Sequence, residues 1–128
     1  MILGTGVDIT SIERVRRGVA RLGGRFAAGI LSPRELEAMP LGERAHAFLA
    51  GRWAAKEAFV KALGTGFANG VAARTITIAN DAQGAPHLEP GDPATPILER
   101  MGVTRIHVSI SHDRENAVAM VILEGPDR

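Results

Sequence analysis

Glu57 and Lys61 stand four residues apart in the stretch WAAKEAFVKALGTG (53–66), a spacing that stacks them on one face of a helix. Taken alone, the two read as a solvated Glu-to-Lys pair worth roughly 0.2–0.5 kcal/mol. Their setting points elsewhere. Ala50, Trp53, Ala54 and Gly64 share the sector, with His46 further back, and small side chains beside a glycine-bounded helix end favour the floor of a cleft. A third charge, Asp8, lies on a separate element, in MILGTGVDIT. Two carboxylates from different elements, with water and phosphate oxygens completing an octahedron, are how Mg²⁺ is usually held. A lysine one turn along adds the positive charge that phosphoryl transfer needs. This chemistry requires Asp8 and Glu57 to meet, which is a condition on the fold.

The elements that must bring them together are legible in part. Residues 2–9 alternate, with Leu3, Thr5, Val7 and Ile9 on one face and Gly4, Gly6 and Asp8 on the other, which predicts a strand. The two glycines clear the surface beside Asp8 and mark a bulge or tight packing against a neighbour, ahead of a ligand site. Thr10 with Glu13 reads as a capping box, starting a helix at about Ser11. Ser32, Pro33 and Glu35 start a second, short one, ended by Pro40 and Gly42. The longest helix is expected from Glu43 to Leu63, closed by Gly64.

Beyond it, TITIA (75–79) and PHLE (86–89) read as strands around the NDAQG turn, and Thr95 with Pro96 as the start of a short helix. RIHVSIS and NAVAMVIL form an antiparallel hairpin, the second strand apolar on both faces and so expected to be buried. Together these predict a single α+β domain over residues 1–128, an antiparallel sheet packed against one long helix and shorter helices.

Composition narrows the class. The chain of 128 residues is 45% hydrophobic and 23% charged, an ordinary globular balance. With no cysteine, disulfides and thiolate chemistry are excluded, and a metal would need oxygen or imidazole ligands. No apolar run approaches the ~18 residues of a membrane span, and the first residues lack a signal-peptide pattern, which predicts a cytoplasmic protein. A net charge of +1 and 4% aromatics without tyrosine make nucleic acid a weak candidate partner.

Charge is nevertheless concentrated. On a helical wheel Arg14, Arg17, Arg21 and Arg25 form one stripe opposite Ile12, Val15, Val19, Leu22 and Phe26, although Gly23 and Gly24 could end the helix before Arg25. Such a stripe is usually a solvated face, but arginines with no intervening acid repel one another, and an acidic partner would account for them. In HVSISHD, His107, Ser109 and Ser111 share a strand face, Val108 and Ile110 the other, with His112 at the end. Nothing in the sequence brings an acid to His112 with nucleophile-elbow features, so no serine-histidine-acid triad can be argued. GTG (64–66) could offer N–H groups to a phosphate, though a helix cap explains half of it.

Taken together, GTGVDIT with Arg14, RFAAGILSPRE, FLAGRWAAKEAFVKALGTG and HVSISHD closely resemble the holo-[acyl-carrier-protein] synthases, the short bacterial branch of the 4'-phosphopantetheinyl transferases. The likeness runs through nearly the whole chain and is weakest at 80–104. The resemblance implies the 4'-phosphopantetheinyl transferase fold. It also implies transfer of 4'-phosphopantetheine from coenzyme A to a serine of acyl carrier protein, in support of fatty acid biosynthesis, with release of adenosine 3',5'-bisphosphate.

By match to the motif, Asp8 and Glu57 would hold Mg²⁺, with Mn²⁺ as a substitute, and Glu57 or a metal-bound water would accept the serine proton. Lys61 would stabilise charge on the phosphate. Coenzyme A would be bound through Arg44, Arg52, Gly64 and His112, and the carrier protein through Arg14, Arg21 and Arg25. The family is a trimer with clefts between subunits, which would set Asp8 and Glu57 of one chain facing His112 of another. Two features depart from the family: Trp53 stands where phenylalanine is commoner, and one extra residue separates Arg14 from Arg25. The alternatives are a non-catalytic module binding coenzyme A or a carrier protein, and a basic nucleic-acid-binding domain. The joint presence of Asp8, Glu57 and Lys61 argues against both.

Overall fold

The computed structural model describes residues 1–127. The chain runs β1 (Ile2–Ser11), α1 (Ile12–Leu22), α2 (Gly24–Ile30), α3 (Pro33–Ala38) and α4 (Arg44–Leu63). A 3₁₀ turn (Ala73–Thr75) follows, then β2 (Thr77–Asn80), β3 (Pro86–Glu89), α5 (Ala94–Met101), β4 (Arg105–His112) and β5 (Asn116–Glu124). β1, β5 and β4 form an antiparallel sheet in that order, and β2 pairs with β3 in a separate hairpin.

Helix α4 lies across the three-stranded sheet, mainly on β1 and β5. It buries residues on nearly every side, among them Leu49, Ala54, Ala58, Phe59 and Leu63, as expected of a helix without a polar face. What lets β1 approach it is the glycine pair. A Cβ on Gly4 would stand 2.3 Å from the Ala62 carbonyl oxygen, and one on Gly6 only 1.8 Å from that of Ala58. The glycines therefore serve tight packing, and Asp8, two residues on, is carried to the helix surface.

Several boundaries differ from the sequence expectation for local reasons. α1 is capped by Ser11, whose hydroxyl accepts from the Arg14 N–H; Thr10 is still in the strand, so the Thr10–Glu13 capping box does not form. Gly23, at φ 61°, breaks the stripe helix, and α2 begins at Gly24, so Arg25 sits on a helix of its own. The capping box at Ser32 and Glu35 is present. The expected strand at 75 starts only at Thr77, because Ala73–Thr75 turns as 3₁₀. α5 begins at Ala94 rather than at Pro96, and the Thr95 hydroxyl donates to the Gly91 carbonyl instead of capping.

The sheet's second face corrects another expectation. In cross-strand register, Val7, Met120 and Ser109 form one row and Ile9, Val118 and Ser111 the next. Val7 is 59% exposed, Ile9 67%, Val118 40% and Met120 47%. β5 is thus buried only through Ala117, Ala119, Val121 and Leu123, and its other apolar face is open within this chain.

Candidate active site

The packing of β1 on α4 brings Asp8, Glu57 and Lys61 to one end of a cavity of about 1100 Å³. The Lys61 ammonium donates to the Val7 carbonyl (3.0 Å) and to Asp8 Oδ1 (3.1 Å), and the Thr10 hydroxyl donates to Asp8 Oδ2 (3.0 Å). The sequence-level pairing of Glu57 with Lys61 is not what forms: Lys61 reaches across to β1, and among the described residues Glu57 has no hydrogen bond or ion pair. Thr10 reads from the sequence as a helix cap and not as a site residue; its place two residues after Asp8 on the same strand face was the available signal.

Burial pushes the Glu57 carboxyl above the ordinary range, the charge of Asp8 pushes it further, and Lys61 pulls it partly back. Two carboxylates thus lie close enough to feel each other's charge, with one ammonium paired to Asp8, a donor set of hard oxygens in need of positive charge. No cluster of three or more His, Cys, Asp or Glu side chains able to hold a metal exists among the described residues. A two-carboxylate site with the remaining positions filled by water and substrate phosphate is the arrangement Mg²⁺ accepts, and it is a poor match to softer metals.

Around this polar end, the walls are basic. Arg14, Arg17 and Arg21 from α1 and Arg25 from α2 all line the cavity, so the break at Gly23 separates the stripe into two helices without dispersing it. Among the described residues none of these four is in an ion pair, whereas Arg16, on another side of α1, is held by Glu13 and Glu43. Apolar surface lies between them: Phe26 packs over Gly18, where a Cβ would meet its ring at 2.4 Å. Trp53 stacks on Phe67 at 5.4 Å between centroids, with the rings 18° from parallel. Gly18 and Phe26 were missed as site residues because contact between α1 and α2 is a tertiary fact.

The remaining expected residues stand apart from this cavity within the chain. Arg44 opens α4 and is exposed. Arg52 is nearly buried, its guanidinium 4.1 Å over the Phe48 ring and 4.0 Å from Glu35, with an Nε that has no hydrogen-bond partner. Burial lowers its pKa, with Glu35 opposing. Gly64 caps α4 at φ 80°, and its N–H donates to the Lys61 carbonyl while that of Gly66 donates to the Val60 carbonyl, so both turn inward. His112 ends β4 in the row Thr10–Ala117–His112, one strand removed from β1. His46 packs toward Glu43, also outside the cavity.

A strand and helix fused through paired glycines, with two carboxylates and a lysine at their crossing and a basic wall beside them, form a site suited to a phosphorylated substrate. The chain belongs to the 4'-phosphopantetheinyl transferase superfamily, whose family model matches residues 4–121. It is 50% identical over 124 residues to a holo-[acyl-carrier-protein] synthase of Nitratidesulfovibrio vulgaris, covering 97% of this chain and 99% of that one. Among solved structures it is similar to the holo-[acyl-carrier-protein] synthase of Neisseria meningitidis (TM-score 0.90, 40% identity, 97% of this chain and 99% of that one). It is also similar to that of Bacillus anthracis in complex with CoA (3',5'-ADP) (TM-score 0.83, 36% identity, 98% and 99%). The architecture is therefore the phosphopantetheinyl transferase fold. No helix among the described residues is long and apolar enough to cross a membrane.

Proposed function

We propose that this protein transfers 4'-phosphopantetheine from coenzyme A to a serine hydroxyl of apo-acyl carrier protein, releasing adenosine 3',5'-bisphosphate. The observation that carries the reading is the joining of Asp8, Glu57 and Lys61 to a wall of four unpaired arginines in one cavity. Asp8 and Glu57 are the residues that would hold Mg²⁺. Metal held by these two residues would supply charge neutralisation at the pyrophosphate and electrophilic activation of the phosphoryl group.

The chain's own groups do the rest. Glu57, without a hydrogen-bond or ion-pair partner among the described residues, takes the proton from the serine Oγ as that oxygen bonds to phosphorus. The bond from phosphorus to the bridging oxygen breaks, and adenosine 3',5'-bisphosphate leaves with that oxygen. Lys61, already beside Asp8, stabilises the charge that develops on the phosphoryl oxygens. Thr10 holds Asp8 in place from its other oxygen.

The nucleotide half of coenzyme A is assigned to Arg44, Arg52, Gly64 and His112. Arg52 is the best supported, since its buried Nε lacks a partner. Arg14, Arg21 and Arg25 are assigned to the acidic surface of the carrier protein. Because Arg44, Arg52 and His112 lie outside the Asp8 cavity of their own chain, the reading includes a homotrimer whose clefts combine residues of two copies. The exposed apolar rows Val7–Met120 and Ile9–Val118 supply a surface for that assembly.

The test is the mass of an apo-acyl carrier protein incubated with coenzyme A and this protein, with and without Mg²⁺. A Mg²⁺-dependent gain of one phosphopantetheine is expected. Binding of coenzyme A or carrier protein with no mass gain would instead establish the non-catalytic module.

A further inference from the structure

Lys56, the residue before Glu57, has no exposed surface at all. Its ammonium donates to the Ile30 carbonyl at the end of α2 (2.8 Å), to the Ala73 carbonyl of the 3₁₀ turn (2.8 Å) and to Glu35 Oε1. Three donors meet three acceptors, so none is left for a substrate. Glu35 in turn accepts from the Ser32 N–H (2.9 Å) and the Ile78 N–H (2.9 Å). One buried ion pair therefore fastens α2, α3, β2 and the 3₁₀ turn to α4.

α2 needs such a fastening more than its neighbours do. It is seven residues long and has no side-chain N-cap bond, and helices this short do not persist without tertiary support. Ala27 and Ile30 bury its inner side, a contact that carries no directional bond to α4. Among the described residues, the bond from Lys56 to Ile30 is the single hydrogen bond between α4 and α2. α2 in turn carries Arg25 and Phe26 into the cavity wall.

We propose that Lys56 is a positioning residue that sets where α2 stands against α4, and so where Arg25 and Phe26 stand relative to Glu57. The inference rests on the carrier-protein reading given above. A purely stabilising pair could be replaced by apolar side chains of similar volume without loss of function, whereas a positioning pair could not.

That contrast is the experiment. Lys56→Met alone would leave the Glu35 carboxylate buried with only Arg52, 4.0 Å away, as counter-charge, so the variant to build is Lys56→Met with Glu35→Met. Lys56→Arg is made beside it, keeping the charge next to Glu35 while misplacing the donors aimed at Ile30 and Ala73. Folding is checked by circular dichroism, and parent and variants are assayed together with coenzyme A, Mg²⁺ and apo-carrier protein.

The expected result is a carrier-protein KM raised on the order of tenfold, kcat within about twofold, and coenzyme A affinity by calorimetry no weaker than the parent's. Amide exchange should quicken across residues 25–31 and stay unchanged in α4. A folded variant with the parental carrier-protein KM overturns the proposal, as does parallel weakening for both substrates, which would signal general loosening. Absence of transfer by the parent itself would refute the functional reading and this inference with it.

Discussion

Gly6→Ala is the sharpest perturbation of the way the site is assembled. The added Cβ would lie 1.8 Å from the Ala58 carbonyl oxygen, 2.8 Å from its carbon and 3.0 Å from the Ala62 nitrogen. All three are helix backbone, so no side chain can swing aside. To reach even 3.0 Å from the oxygen, the strand has to retreat by at least 1.2 Å, the difference between 3.0 and 1.8 Å. Overpacking usually costs 1–3 kcal/mol, and a rigid backbone contact belongs at the top of that range, about 3 kcal/mol. At about 4 °C per kcal/mol for a domain of this size, the midpoint of thermal unfolding should fall by about 12 °C.

The consequence for function is larger. Asp8 follows two residues later in the same strand, and its 3.1 Å contact with Lys61 would open past hydrogen-bonding reach. A displacement of about 1 Å at reacting groups can cost about 100-fold in rate, so kcat should drop by that order even below the lowered midpoint. Calorimetric melting and the carrier-protein mass assay measure the two effects. Gly29→Ala is the control: it lies inside α2 with nothing within 4 Å of its Cβ, and should stabilise by about 0.5–1 kcal/mol. Gly6→Ala with parental melting and parental turnover would refute the claim that backbone-to-backbone packing places Asp8.

Glu57→Gln should reduce turnover by about 10²–10⁴-fold while raising stability near neutral pH. The folded-state carboxyl sits above its unfolded value, so the native state holds the proton more tightly and stability falls as pH rises through that window. The gain from Gln should therefore shrink on acidification, and a melting-versus-pH series without added metal would show it; an unchanged difference at all pH values would contradict the effect of burial on Glu57. Lys61→Ala should lower kcat more than it raises KM for coenzyme A, since the charge it meets develops in the transition state; a change confined to that KM would make Lys61 a ground-state binder. Arg14→Glu should raise the carrier-protein KM at low salt and leave coenzyme A binding unchanged, and the wild-type KM should itself rise as the Debye length shortens from ~10 Å at 0.1 M to ~3 Å at 1 M. A reversal without effect would return the stripe to a solvated face.

Local chemistry was readable in the chain because it depends on neighbours in sequence. The glycine-capped helix over 44–63, the Ser32–Glu35 capping box and the alternation of β1 all follow from residues a few positions apart. So do the facing of Asp8 with Gly4 and Gly6, and the one-turn separation of Glu57 from Lys61. Where two local signals competed, local pattern favoured the wrong one: the cap expected of Thr10 was taken by Ser11, and Thr10 was drawn to Asp8 instead.

Long-range pairing belonged to the tertiary structure alone. Lys61 chose Asp8, 53 positions away, over Glu57 on its own helix, because β1 lies close enough for the ammonium to reach. Arg25 joined Arg14, Arg17 and Arg21 across a helix break, and Lys56 found a buried partner in Glu35, 21 positions away. Val118 and Met120, apolar in a strand read as fully buried, are exposed because only one side of the sheet is covered by α4. Spacing along a chain fixes which residues share a face; which faces then touch is decided by how closely backbones can approach, and here two glycines set that distance.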